Sequence, residues 1–75
     1  FPNPSKGVFN ISTSNSNTLK EVLVYDVLGK QVAHIKNLNS DNTLKVDLTS
    51  LNKGVYLVRL VLNDGSQSTK KVIIS

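Results

Sequence analysis

The chain has 75 residues, no Cys and no Met, with nine Lys and Arg against five Asp and Glu. That length allows one domain at most, since domains typically hold ~100–150 residues, and a chain this short buries only ~60% of the surface its unfolded form exposes. A single thin core leaves no room for a deep catalytic cleft, and the absence of Cys excludes disulfides, thiolate metal sites and Cys nucleophiles.

Phe1-Pro2-Asn3-Pro4 is an extended opening, because each Pro fixes φ and pushes its preceding residue toward extended geometry. The predicted first strand is 7–12, with Phe9 and Ile11 on one face, and the polar stretch 13–18 is a loop. The second, 19–27, puts Val22 and Val24 on one face and Leu23 and Tyr25 on the other. Asp26-Val27-Leu28-Gly29-Lys30 predicts a tight hairpin: Asp suits the first position of a type I turn and Gly29 supplies the left-handed residue after it. The third strand is 31–36, and the polar segment 37–42 around Leu38 is a loop. The fourth, 43–48, alternates Leu44, Val46 and Leu48 against Lys45 and Asp47, the pattern of a half-buried strand.

Leu51 falls in a tight corner before Asn52-Lys53-Gly54. Gly54, just before a strand, allows a positive φ or a close backbone approach. The fifth strand, 55–62, is the most apolar. Arg59 faces solvent, which puts Tyr56, Val58, Leu60 and Leu62 on the core, with the Tyr56 hydroxyl kept at the rim. Asp64-Gly65 signals a hairpin into a sixth strand, 67–74. Six strands, or seven if the Pro-rich opening pairs, predict an all-β, antiparallel, two-sheet sandwich.

The chemistry-bearing residues are few. His34 is the sole imidazole and sits mid-strand between Ala33 and Ile35, a poor setting for the base of a triad, which needs an oriented partner and a pocket. Glu21, Asp26, Asp41, Asp47 and Asp64 fall in different elements, so neither zinc nor paired-carboxylate chemistry is indicated. Asn39-Ser40-Asp41-Asn42 has part of a calcium-loop pattern but lacks its Gly and distal Glu. Asn10-Ile11-Ser12 fits a glycosylation sequon but lies within a predicted strand. No catalytic residue, metal or cofactor is expected. The net charge of +4 sets eight Lys and one Arg, spread along the chain, against five carboxylates, and of the basic residues only Lys70 and Lys71 adjoin. Base readout favours Arg forks and single strands favour aromatic platforms, so no nucleic-acid partner is expected. No apolar run approaches a membrane span, and no signal-peptide pattern opens the chain. With Phe1 first and no internal Met, the chain is expected to be part of a larger protein, and if that protein is exported its signal peptide lies upstream.

Taken in order, these motifs resemble the type A C-terminal sorting domain of the type IX (Por) secretion system of Bacteroidota, over essentially all 75 residues. Phe1-Pro2-Asn3-Pro4 is similar to its hydrophobic-Pro-Asn-Pro opening, with Phe where Tyr is common. Residues 7–11 resemble its first strand, and Val22-Leu23-Val24-Tyr25-Asp26 followed by Val27-Leu28-Gly29-Lys30-Gln31-Val32 its second motif. Val46-Asp47-Leu48-Thr49-Ser50-Leu51 leading to Gly54-Val55-Tyr56-Leu57-Val58 resembles its most recognisable stretch, and Lys70-Lys71-Val72-Ile73-Ile74 its terminal strand.

The resemblance implies an immunoglobulin-like sandwich occupying 1–75 as a single C-terminal domain of a secreted cargo protein. It implies reading by outer-membrane secretion proteins after the cargo reaches the periplasm and a final location at the cell surface or outside the cell, with removal by a sortase-like surface peptidase in many such proteins. Recognition is expected to use the surface of the terminal strand, Lys70, Lys71, Val72 and Ile73, because no convergent polar cavity is indicated. Lys at an edge strand also serves as an ordinary guard against edge-to-edge pairing. Pro2, Asn3, Pro4, Gly29, Gly54 and Tyr56 are expected to be structural parts of the motif. Two other readings stay open on the residues alone: a non-catalytic immunoglobulin-like or fibronectin-like spacer, and a carbohydrate-binding module whose only exposed rings would be Tyr25 and Tyr56.

Overall fold

The computed structural model describes residues 6–13, 17–38 and 42–75. The Pro-rich opening and Asn39-Ser40-Asp41, on which the seventh-strand and calcium expectations rest, lie outside the described residues. Six strands are present: β1 (Val8–Ser12), β2 (Leu19–Tyr25), β3 (Gln31–Lys36), β4 (Thr43–Asp47), β5 (Gly54–Leu62) and β6 (Gln67–Ile74). β1 and β4 form a two-stranded sheet, and the others form a four-stranded sheet in the order β3-β2-β5-β6. Every pairing is antiparallel. The fold is therefore an all-β, two-sheet sandwich without helices among the described residues.

Alternation explains how these strands find each other. Phe9 and Ile11 on β1 and Val46 on β4, with Leu48 just beyond it, bury one face of the small sheet. They meet Leu19, Val22, Val24, Tyr56, Val58 and Ile74 from the large sheet. Side chains two apart share a face, so a one-residue slip would expose the whole set, and burial thereby holds the register. Val22, Val24 and Val46 are wholly buried. β-branched side chains suit this setting because their restricted χ1 packs well on a pleated surface.

Polar residues extend the ladders past the strand ends. The Leu48 N–H donates to the Gly7 carbonyl at 2.6 Å, and the Thr13 N–H to the Asn42 carbonyl at 2.7 Å, closing β1 onto β4 at both ends. Asn37 donates twice to β2, from its backbone to Lys20 O at 3.0 Å and from Nδ2 to Leu19 O at 2.9 Å. Asn63 does the same from β5 toward Thr18, through its backbone and its amide.

The predicted faces of β1, β2 and β4 are the observed ones, although β4 ends at Asp47, one residue before its predicted end. β2 stops at Tyr25, because Asp26 opens the turn and Val27 belongs to the turn rather than the strand. On β5, Tyr56 and Val58 are buried and Leu60 and Leu62 pack against the core as expected. Val61, however, is also buried although it lies on the opposite face with Arg59. Its register partners are Glu21 and Gln67.

Candidate recognition surface

Two hairpins of one geometry organise the large sheet. In β2–β3, Asp26 N–H donates to Lys30 O at 2.9 Å and Gly29 N–H to Asp26 O at 3.0 Å. In β5–β6, Leu62 N–H donates to Ser66 O and Gly65 N–H to Leu62 O, both at 2.9 Å. Each is a three-residue loop made of a type I turn followed by a left-handed glycine, Gly29 at φ +86° and Gly65 at φ +89°. An aspartate locks each turn. Asp26 Oδ1 accepts from the Leu28 and Lys30 N–H groups at 2.9 Å, and Asp64 Oδ1 accepts from Ser66 N–H and Oγ at 2.8 and 2.6 Å.

The Asp64 carboxyl is held below the usual carboxylate range by the Ser66 hydroxyl, then by the Ser66 N–H. Asp47 is lowered in the same way by the Thr49 hydroxyl, then the Thr49 N–H, with Lys45 adding a smaller effect. Asp47 Oδ1 accepts these two bonds at 2.6 and 3.0 Å as the chain leaves β4. These carboxylates are spent on turn geometry.

The corner before β5 matches its sequence reading. Leu51 N–H donates to Leu48 O at 3.0 Å. The Tyr56 ring is buried in the core while its hydroxyl reaches back to donate to the Asn52 carbonyl at 2.7 Å. Gly54 has φ +157°, a positive value that L side chains rarely adopt, although an added Cβ would meet only Tyr56 Cε1 at 3.8 Å. Gly7 is the more demanding. At φ +107°, its Cβ would sit 3.1 Å from Leu48 C and Thr49 N. A Gly opening the first strand is visible in the sequence, but the closeness of Leu48 depends on β1–β4 pairing.

His34 is on β3, exposed, with Nε2 2.5 Å from Glu21 Oε1 on β2. The two stand on the outer face of the sheet, Glu21 opposite Lys36 and Leu23 opposite His34. An open groove there is lined by Lys20, Glu21, His34, Lys36, Asn37 and Leu38. No group of three His, Cys, Asp or Glu converges among the described residues.

The expected recognition strand is the last strand of the large sheet as described. Lys70 stands opposite Val58 and Lys71 opposite Leu57, so their side chains leave opposite faces, and both are exposed. Val72, opposite Tyr56, packs against the core, whereas Ile73, opposite Val55, shares the outer face and is half-buried. The outer face also carries Val55 and Leu57, 38% and 41% exposed, and Arg59 stacked 5.1 Å over the Tyr25 ring. Sequence reasoning missed this lateral apolar surface. Its signal was the second set of alternating residues on β5, which looks like surplus hydrophobicity until the register places it.

A search of curated proteins found no match. A family model described as a secretion system C-terminal sorting domain matches residues 1–75. The match spans the whole chain. On that ground the chain belongs to the C-terminal sorting domain family of the type IX secretion system.

Proposed function

We propose that this domain carries a larger cargo protein across the outer membrane as a folded address, and that a surface rather than a pocket is read. The sorting role itself follows from family membership over 1–75, and export by type IX secretion follows with it. The match over the full length is the observation that carries the reading. The chemistry of the sandwich is in keeping with it, because among the described residues the charged groups serve turns and faces and no group of three His, Cys, Asp or Glu converges. The domain acts without catalysis.

In this reading the domain is the single C-terminal unit of its cargo, outer-membrane components read it from the periplasm, and a sortase-like peptidase removes it at the surface. Lys70, Lys71, Val72 and Ile73 contribute to recognition from β6, while Pro2, Asn3, Pro4, Gly29, Gly54 and Tyr56 maintain the shape. The test is a reporter bearing an export signal and fused to Phe1–Ser75, expressed in a host with type IX machinery. The reporter is expected in the medium or on the surface. Equal secretion after deletion of 1–75 refutes the proposal.

A further inference from the structure

The two hairpins provide an internal comparison. With the same turn and the same left-handed glycine, the β5–β6 loop carries Asn63 and Asp64 at its two central positions, as turn chemistry favours. The β2–β3 loop carries Val27 and Leu28 at those positions, 71% and 90% exposed. Isolated exposed apolar residues are common and carry no meaning. Here, however, the register brings further apolar surface to the same end of the sheet. Tyr25, which leads into the turn, stands opposite Leu57, and Val55 lies one step further along β5. Asp26 holds the loop through the Leu28 and Lys30 N–H groups, so the tip is ordered before any partner arrives.

Charge selects among occupants. Lys30 follows the tip, Lys53 precedes β5 at that end, and Lys71 stands opposite Leu57; all three are exposed. The nearby carboxylate, Asp26, has the oxygen Oδ1 engaged by the turn. A second copy packed on this surface would set lysines against lysines, which is unfavourable. We infer that the Val27–Leu28 hairpin tip, with Tyr25 and Leu57 beside it, is a preformed anchor that inserts into an apolar socket rimmed by carboxylates on a protein of the secretion machinery. This rests on the sorting reading above and names a contact within it. Interface energy concentrates in a few apolar anchors seated in pockets, while the charged rim steers approach.

The test uses the full secreted protein in a host with type IX machinery, measuring the fractions in the periplasm and outside the cell. The variants are Val27→Ser with Leu28→Ser, Lys30→Glu, and the control Leu38→Ser, which is 85% exposed but follows the far end of β3. The double variant and Lys30→Glu are expected to lower secretion at least ten-fold, with the retained protein as protease-resistant as wild type, and Leu38→Ser to be secreted normally. If deletion of 1–75 blocks secretion but the double variant is secreted at the wild-type rate, the anchor is overturned and the sorting reading stands. If deletion has no effect, the sorting reading fails and takes the anchor with it. A dimer in solution that the double variant dissolves would assign the surface to a second copy and overturn the proposal. Flotation with phosphatidylglycerol vesicles that the double variant abolishes would assign it to a lipid and overturn it equally.

Discussion

At the scale of single residues, backbone conformation and turn carboxylates set the sharpest expectations. Gly7 combines a left-handed φ with a backbone approach of 3.1 Å. Gly7→Ala is therefore expected to cost about 1–3 kcal/mol from strained φ/ψ alone, measured by urea unfolding. Gly54→Ala is expected to cost less, because its positive φ strains the backbone but its Cβ would make only an ordinary contact, whereas at Gly7 a backbone clash adds to the strain. A larger loss at Gly54 than at Gly7 would contradict this ordering. The carboxylates of Asp47 and Asp64 titrate low because each accepts from a hydroxyl and an N–H in the folded state. A group whose folded pKa is depressed contributes stability that is complete above its unfolded pKa and is lost as pH falls through the folded value. The double variant Asp47→Asn with Asp64→Asn is thus expected to lose stability less steeply than wild type between about pH 5 and pH 2, the range in which such carboxylates protonate. Identical slopes in acid titrations followed by circular dichroism would show that the turns gain nothing from the charge.

At the scale of elements, β6 separates stability from recognition. Lys70 and Lys71 are exposed, and the ion pairs and contacts of an exposed lysine are usually worth less than ~1 kcal/mol. Lys70→Ala with Lys71→Ala is therefore expected to melt like wild type and to remain in the periplasm. A variant that folds and is secreted normally would leave the lysines as guards of the sheet edge. Truncating the strand would be a poorer test, because Val72 and Ile74 hold the core. The Tyr56 corner is an element-scale device as well, since one hydroxyl ties β5 to the turn before it. Tyr56→Phe is expected to cost about 0.5–1.5 kcal/mol, the net worth of a typical hydrogen bond, with secretion retained if the fold survives.

At the scale of the whole molecule, one apolar layer between two sheets carries nearly everything. Domains of this kind have only ~5–15 kcal/mol of net stability, so a single core deletion is a large fraction of it. Val46 is wholly buried and belongs to the sheet with only two strands. Val46→Ala is expected to lower the thermal midpoint more than any surface change considered above. Because a bound ion would stabilise the native state by mass action, melts with and without a chelator are expected to coincide. A midpoint that drops with chelator would reveal a cation site and overturn the metal-free reading.

Local rules in the sequence determined a good deal. Alternation put Phe9 with Ile11, Val22 with Val24, and Leu44 with Val46 each on a shared face and placed Tyr56 on the core, because a strand's period of two follows from backbone geometry alone. Asp26 with Gly29, and Asp64 with Gly65, marked both hairpins, because the αL residue of the turn is contained within a few positions of chain. Motif order carried the family and hence the sorting role. Only tertiary structure decided what depends on residues far apart in the chain. That β2 sits between β3 and β5, that β1 pairs with β4, and that Gly7 lies against Leu48 are long-range pairings with no local signature. The surface joining Tyr25, Leu57 and the Val27–Leu28 tip is of this kind. Each residue's apolar character is plain in the sequence, but whether such a side chain is core or surface depends on which face the opposite sheet covers, and here the small sheet covers only one.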